Sequence, residues 1–298
     1  PDTGKVCRNV VWRRGHERNG IMPKLNHIAS ITVDPITVGK FYADIFQMSF
    51  ESRSGRIGYS ATAREGYVGL NFNPIMPGRP GPAGLDHFGI EVEDIEKSFA
   101  NAEKSYPEID WVKRSGTRPY AQVGIHDPDG QVVDINQKNM KDSISEVTTK
   151  GLYLEGDYEQ PRHVEYLALR TPNPERCSDF YRDVFEMTPL NRHEDDDGYS
   201  LTDGRVTLKL IPWKISDYDG MDVSRPMLDH IGFKVEDAEK VHQEILDYNG
   251  RFPPMAAPCW LLDSREEDCD KADMLKKTAP DSKYQYCDLN GTCFVSLD

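Results

Sequence analysis

Two stretches of the 298-residue chain decide its fold, because the second is a copy of the first. They read Leu85-Asp86-His87-Phe88-Gly89-Ile90-Glu91-Val92-Glu93-Asp94 and Leu228-Asp229-His230-Ile231-Gly232-Phe233-Lys234-Val235-Glu236-Asp237. Each alternates branched apolar residues with other residues at a period of two, which predicts a strand. Each then leads from an acidic end into a helix-like segment, Ile95–Tyr106 or Ala238–Tyr248. An internal repeat of this kind predicts that the two halves of the chain share one architecture.

Working outward from these copies, each half reads as two β-α-β-β-β units. The first unit starts with a strand at Lys24–Val33, and its helix at Ile36–Met48 follows Asp34-Pro35, an N-cap with proline at the first helical position. The second half repeats this pattern from His163, with Asn173-Pro174 as its cap. The other strands predicted in the first half are Phe50–Ser54, Arg56–Ala63, Gly66–Asn73, Asp110–Arg114, Tyr120–His126 and Gln131–Asn136. The predicted fold class is therefore α+β, with four βαβββ units in two modules.

The predicted boundaries follow from these repeats and from composition. Residues 1–21 read as an N-terminal arm or tag, 22–140 as the first module, 141–160 as a polar linker and 161–298 as the second module. The second module is longer because of an insertion at about 262–283. This charged insertion is expected to form a long surface loop.

Composition excludes several classes of partner. The net charge of −14 disfavours nucleic acid and anionic membranes. No apolar run approaches the length of a membrane span. The six cysteines form no Cys-x-x-Cys pair, and the first residues lack the apolar core of a signal peptide. We therefore expect a cytoplasmic protein with reduced thiols that binds a small molecule, either as a monomer or as a homo-oligomer.

The repeated unit and its motifs resemble the vicinal oxygen chelate superfamily, which includes glyoxalase I, bleomycin-resistance proteins and extradiol dioxygenases. The marks are the paired Leu-Asp-His strands, the helices at Phe41–Phe46 and Phe180–Phe185, and the motif Asp127–Ile135, and the resemblance covers Pro23 to Asp298. Members of that superfamily hold a metal with residues of the first, fifth and eighth strands. The resemblance therefore implies His27, His87 and Asp134 as metal ligands, with aspartate where the superfamily usually has glutamate.

The second module tests this implication. Its equivalent positions hold Tyr166 (or Glu165, if the strand register shifts), His230 and Val295. Valine cannot bind a metal, so the second module is expected to lack a site. Some relatives exchange halves between modules, which would bring His27 toward His230. Pairing within modules is favoured because it gives one complete set of ligands.

Two histidines and one carboxylate leave coordination positions open, which suits Fe(II) and O₂, or Mn, Co, Ni or Zn acting as a Lewis acid. The first functional prediction is therefore a non-haem Fe(II) dioxygenase for a small aromatic or enolic substrate. Extradiol enzymes carry an acid–base histidine and an acid–base tyrosine in the segment before the motif that corresponds to Asp127–Ile135. In this chain a serine stands at the histidine position. Tyr120 and His126 are the candidate catalytic replacements, and the candidate substrate contacts are Asn71, Tyr59 and Trp111.

Two alternatives remain open at this point. One is a glyoxalase-type isomerase, lyase or epimerase that uses a divalent Lewis-acid metal. The other is a metal-free, resistance-type protein that binds a small planar molecule, in which His87 and Asp134 would bond to protein groups.

Overall fold

The computed structural model of the chain describes residues 23–55, 58–76, 78, 82–114, 121–138, 160–193, 196–217, 226–251, 260–262 and 269–298. The expected arm at 1–21 lies outside these residues, and so does the expected linker apart from residue 160.

In the first half the elements, in chain order, are β1 (Lys24–Thr32), α1 (Pro35–Ile45), β2 (Ser49–Gly55), β3 (Gly58–Arg64), β4 (Gly69–Pro74), β5 (Gly84–Val92), α2 (Ile95–Ser105), β6 (Trp111–Lys113), β7 (Val123–His126) and β8 (Val132–Gln137). In the second half they are β9 (His163–Thr171), α3 (Pro174–Phe185), β10 (Thr188–Pro189), β11 (Tyr199–Thr202), β12 (Thr207–Pro212), β13 (Met227–Lys234), α4 (Ala238–Arg251), β14 (Trp260–Leu261), α5 (Cys269–Thr278), β15 (Tyr284–Cys287) and β16 (Cys293–Leu297).

The N-caps predicted from sequence are present. The Asp34 side chain accepts the N–H of Thr37 at 3.0 Å, and the Asn173 side chain accepts the N–H of Arg176 at 3.0 Å. A proline follows each cap at the start of its helix. These residues begin α1 and α3 at equivalent places, because each cap satisfies an N–H group that the first helical turn leaves unpaired.

Each half of the chain builds its own eight-stranded sheet. The strand order is β2-β3-β4-β1-β5-β8-β7-β6 in the first and β10-β11-β12-β9-β13-β16-β15-β14 in the second. At the centre of each sheet the first strands of its two units pair antiparallel, β1 with β5 and β9 with β13. The halves therefore pair within modules, and the exchanged arrangement is not the one adopted.

One apolar core lies between the two modules. It combines buried residues of both halves, and α1 contacts α4 while α2 contacts α3. Phe46 of the first module stacks on Phe233 of the second, with ring centroids 3.8 Å apart. Helices α1 to α4 and one face of each sheet are therefore buried together. We call the opposite face of each sheet its outer face.

Two reciprocal hydrogen bonds tie the modules together. The hydroxyl of Tyr42 donates to Asp288 Oδ2 at 3.1 Å, and that of Tyr181 donates to Asp127 Oδ2 at 3.0 Å. Each aspartate also accepts two backbone N–H groups of its own turn. Burial raises the pKa of Asp288 to about 6 against these hydrogen bonds. The Phe-Tyr motif of each module thus holds the tight turn of the other.

A second pair of carboxylates crosses between the modules. Glu65 accepts the N–H of Val164, at the start of β9, at 2.7 Å. Asp203 accepts the N–H of Leu25, at the start of β1, also at 2.7 Å. Burial raises the pKa of Glu65 to about 7. Each module therefore fixes the first strand of its neighbour through a buried acid.

The insertion departs from the expected surface loop. Its residues 269–278 form α5, and this helix buries Ala272, Met274 and Leu275. They pack against Tyr166 and Val295 in a second apolar cluster, on the outer face of the second sheet. The charged composition suggested a loop because the exposed positions of α5 carry lysine and aspartate, while its apolar positions are few.

Among the described residues, no helix combines the length and the apolarity that a membrane crossing requires.

The buried Glu65 gives the protein an unusual pH dependence. Its pKa is about 7 in the fold against an ordinary value of 4.5, so between these pH values the folded state keeps a proton that the unfolded chain has lost. Stability contributed by this group therefore falls as pH rises from about 4.5 to about 7, by about 3 kcal/mol at about 1.4 kcal/mol per pKa unit. Chemical denaturation of the wild type and of Glu65→Gln across this range should show a steeper loss of stability in the wild type. Parallel profiles would contradict the assignment.

Candidate metal centre

Two β-bulges decide where the predicted histidines point. Strand β1 has one extra residue opposite β5 at Asn26, and β5 has one extra residue opposite β1 at Asp86. An extra residue breaks the two-residue alternation of a strand. The leucine before each bulge lies in the core, whereas His27 and His87 emerge beside one another on the outer face. Their ring centroids are 5.6 Å apart.

The bulge residues also orient the rings. Nδ1 of His27 lies 2.7 Å from Oδ1 of Asn26, and Nδ1 of His87 lies 2.5 Å from Oδ2 of Asp86. With Nδ1 engaged in this way, Nε2 of each ring is the nitrogen that would bind a metal. An oxygen partner on the far nitrogen is the usual arrangement around metal-binding histidines, because it fixes the tautomer and the ring direction.

Asp134 completes the group from β8. It pairs in register with Gly89, and its chain neighbours on both sides lie in the core, so its side chain is on the outer face. Its Oδ2 lies 3.3 Å from Nε2 of His87. Its Oδ1 accepts two hydrogen bonds from Arg114, from Nε at 3.0 Å and from Nη2 at 2.7 Å. The carboxylate therefore has one oxygen held by arginine and one directed at the histidines.

The donor set fits a divalent cation. One ligand atom each from His27, His87 and Asp134 lies within 4.8 Å of the others, and all three residues are buried. Ligand bonds of about 2.1 Å place two donors of one ion about 3–4 Å apart, so small side-chain rotations suffice. Imidazole nitrogen with one carboxylate suits Fe, Mn, Co, Ni and Zn.

The protonation of His87 reflects its neighbours. Burial lowers the pKa of this imidazole, but hydrogen bonds and attraction from Asp134 and Asp86 outweigh burial, and the net effect raises the pKa. Protonation of this imidazole therefore competes with metal binding over a wider pH range than for an ordinary histidine.

Two glycines provide the space for this arrangement. A Cβ on Gly89 would lie 2.1 Å from Cε1 of His27, and a Cβ on Gly124 would lie 2.4 Å from Cζ of Arg114. Any side chain at these positions would overlap the group beside it. The glycine of the Leu-Asp-His-x-Gly motif is thus required by the histidine ring on the neighbouring strand.

Two of the other predicted residues share the outer face with the triad. Asn71 pairs with Ala29, two residues along β1 from His27, and its buried Oδ1 has no hydrogen-bond partner among the described residues. His126 follows Gly124 by two residues on β7, and its Nδ1 lies 2.8 Å from the carbonyl oxygen of Asp127. That nitrogen must carry a proton to make this bond, so Nε2 is left as an acceptor.

Two of the predicted residues that the structure describes are not brought to the site. Trp111 stacks on Phe99 of α2 at 4.3 Å, so it lies on the helix side of the sheet. Tyr59 lies two residues before the core residue Ala61 on β3, so both side chains emerge on the same face of the strand. Tyr59 is exposed because it lies at the end of β3. Tyr120 lies outside the described residues. Both aromatic predictions failed because strand assignment alone did not fix the face on which each side chain emerges.

Comparison with known proteins bears on the fold. No protein-family model and no curated protein matches the sequence. Among solved structures, the chain is similar to the 2,3-dioxygenase LapB from Pseudomonas sp. KL28, with 13% identity, 92% of this chain and 91% of that chain covered, and a TM-score of 0.57. It is similar to the Mn(II)-bound glyoxalase from Novosphingobium aromaticivorans, with 13% identity, coverage of 92% and 81%, and a TM-score of 0.52.

A third similar structure is longer than this chain. It is a fusion of a xylose isomerase-like TIM barrel with a 4-hydroxyphenylpyruvate dioxygenase, at 13% identity and a TM-score of 0.52. The match covers 93% of this chain and only 48% of the fusion protein.

The chain has the vicinal oxygen chelate fold. The comparisons with the dioxygenase and the glyoxalase span nearly its whole length, and the two sheets have equivalent strand orders. In this fold the two modules are duplicates, so each residue of the triad has a counterpart in the second sheet.

The counterparts explain why the second module lacks a triad. Its bulges fall at Glu165 and Asp229, so Tyr166, not Glu165, faces outward in the place of His27. The Tyr166 hydroxyl lies 3.0 Å from Nε2 of His230, and Val295 pairs with Gly232 in the place of Asp134. The apparent histidine ligand of this module is thus bonded to a tyrosine.

Sequence reasoning missed the residues that position the triad. Asn26 and Asp86 each stand directly before a candidate ligand, and Asp229 stands before His230 in the same way. A polar residue before the histidine of an otherwise apolar strand was the available signal. Arg114, at the end of a predicted strand, holds Asp134 through its guanidinium group.

The glycine contacts give a matched test of the site. Gly89→Ala should displace His27 and reduce bound metal at least tenfold, because the new Cβ overlaps the ring. Gly232→Ala creates an equally close overlap, 2.1 Å from Cε1 of Tyr166, and should cost similar stability without loss of metal. Metal content by mass spectrometry, with thermal unfolding as the control, checks both. Equal metal retention in the two variants would remove His27 from the ligand set.

Proposed function

We propose that this protein is a metal-dependent enzyme of the vicinal oxygen chelate type, and that it is a non-haem Fe(II) dioxygenase for a small aromatic or enolic substrate. The observation that carries the proposal is the convergence of His27, His87 and Asp134 on one buried point of the outer face. Two histidines and one carboxylate with open positions are typical of non-haem Fe(II) oxygenases. When bound, the iron would supply a site at which substrate oxygens and O₂ bind together.

Arg114 supports this chemistry by limiting the carboxylate to one donor atom. Its guanidinium binds Oδ1 of Asp134 through two N–H groups, which leaves Oδ2 for the metal. A carboxylate held in this way binds a metal through one oxygen and occupies one coordination position. More positions then remain for the substrate. The charge of Arg114 also compensates part of the charge of this buried acid.

His126 is the residue that we assign to proton transfer. Because its Nδ1 donates to the carbonyl of Asp127, the neutral ring presents Nε2 as a base. The residue follows Gly124, which pairs with Asp134, so it lies along the same face as the triad. In this role His126 would accept the proton of a substrate hydroxyl and later return it.

Asn71 favours a second candidate function. Its buried Oδ1 without a partner among the described residues offers a further oxygen donor on the face of the triad. A fourth donor with a Mn, Co, Ni or Zn ion would suit a glyoxalase-type isomerase, lyase or epimerase, which needs no O₂. The alternative of a metal-free binding protein is supported by the contacts of Asp134 with Arg114 and His87, because these two groups already compensate the charge of the carboxylate.

Metal reconstitution separates these functions. Apo-protein loaded anaerobically with Fe(II) should consume O₂ when mixed with catechols or hydroquinones, whereas Zn-loaded protein should not, because only iron supplies the redox step. An oxygen electrode combined with product analysis measures this. If the Mn-, Ni- or Zn-loaded protein instead turns over thiol adducts of α-keto aldehydes without O₂ uptake, the result would favour the glyoxalase-type function. Failure of every metal to bind would favour the metal-free binding protein.

His126 has its own expected effect. His126→Gln should lower kcat about 100-fold with metal content unchanged, because a positioned acid–base group contributes that much without holding the metal. The variant His193→Gln, at an exposed position, is the control and should match the wild type. A wild-type kcat in His126→Gln would remove the acid–base assignment, and a loss of metal would make the residue a ligand.

A further inference from the structure

The second module contains a large cavity away from the triad. It has a volume of about 830 Å³ and lies between strands β11 and β12 and the inserted helix α5. Small-molecule sites occupy about 300–1,000 Å³, so its size suits a ligand. Its lining includes Arg170, Lys209, Ile211, Met274 and Asp281. The module without metal donors thus has its own space for a ligand.

Arg170 provides a buried donor in this cavity. The side chain is 3% exposed, its Nε donates to Asp229 at 2.7 Å, and its Nη1 lies 3.2 Å from Oδ2 of Asp217. Its Nη2 is buried and has no hydrogen-bond partner among the residues that the structure describes. A buried guanidinium N–H group without an acceptor is costly, and a ligand oxygen would satisfy it once a small shift of the lining exposes Nη2 to the cavity.

Lys209 adds a second cation on the same face. It pairs in register with Ala168, two residues from Arg170 on the adjacent parallel strand, so both side chains emerge on the outer face. Its Nζ lies 3.6 Å from the centre of the Tyr166 ring. Burial lowers the pKa of Lys209, and Asp281 attracts it through space without a hydrogen bond. The ammonium group therefore also lacks a direct carboxylate partner among the described residues.

We propose that this cavity binds a small organic molecule through one carboxylate, which accepts from Arg170 Nη2 and pairs with Lys209. A planar carboxylate matches the N–H geometry of a guanidinium, and Arg is therefore common where carboxylates are recognised. The site is separate from the triad, which lies on the other sheet. The proposal consequently does not depend on the function proposed for the first module.

The lining limits the charge of the ligand. Around Arg170 and the half-buried Lys209 stand two exposed lysines, Lys214 and Lys277, and a larger number of exposed acids, which are Asp196, Asp197, Asp270, Asp273 and Asp281. These repel a molecule with several negative charges, but they tolerate a neutral or cationic body behind a single carboxylate. Apolar side chains, among them Ile211 and Met274, offer contact area to such a body. A monocarboxylate is therefore favoured over a phosphate or a tricarboxylate.

The test uses the full-length protein after treatment with a chelator, so that metal binding in the first module does not contribute. Benzoate and β-alanine serve as monocarboxylates with a neutral and a cationic body, and inorganic phosphate and citrate serve as the contrasting anions. Calorimetry or ligand-detected NMR should show binding of both monocarboxylates in preference to the other two. Absence of monocarboxylate binding, or tighter binding of phosphate or citrate, would overturn the proposal.

A pair of lysine variants locates the binding. Lys209→Met should weaken monocarboxylate binding about tenfold or more, because it removes one charged partner of the carboxylate. Lys276→Met removes the same charge from α5 at an exposed position and should leave binding unchanged. Equal affinity in the two variants would place the ligand elsewhere. Lys209 is preferred to Arg170 for substitution because Arg170 also supports the buried Asp229, and its loss threatens the fold.

Discussion

The candidate site depends on a shift of one residue in each of two neighbouring strands. A β-strand alternates its side chains, so the apolar residues that fill the core also fix which residues face outward. The bulges at Asn26 and Asp86 interrupt that alternation and turn both histidines to the outer face. The extra residues then bond the imidazoles that they displaced. One local feature thus determines both the direction and the tautomer of each candidate ligand.

The rest of the fold keeps those two strands in register. Tyr42 and Tyr181 each reach an aspartate in a turn of the other module, and Glu65 and Asp203 each hold the first strand of the neighbour. These contacts bury the helices between the sheets and leave the outer faces for binding. Since the buried acids carry raised pKa values, this arrangement costs electrostatic free energy that the shared core must offset.

Duplication has given the two outer faces different chemistry on the same backbone. Where the first sheet has His27 and Asp134, the second has Tyr166 and Val295. Helix α5 covers the tyrosine and the valine with apolar side chains, while Arg170 and Lys209 line the cavity beside it. The difference follows from a few side chains and one insertion, because the bulges and the central glycine are present in both modules.

The sequence by itself determined the repeat, the four βαβββ units and the helix caps, because periodicity, capping residues and the motif copies are local signals. The candidate triad positions came from the resemblance to a known superfamily and not from these signals. Only the tertiary structure decided the face of each side chain and the role of the insertion. Trp111 and Tyr59 were assigned to strands correctly but emerge away from the triad, and Arg114 reaches Asp134 from the end of β6, across the intervening strand β7. Those outcomes depend on bulges, register and packing between strands distant in sequence, which a pattern read along the chain does not contain.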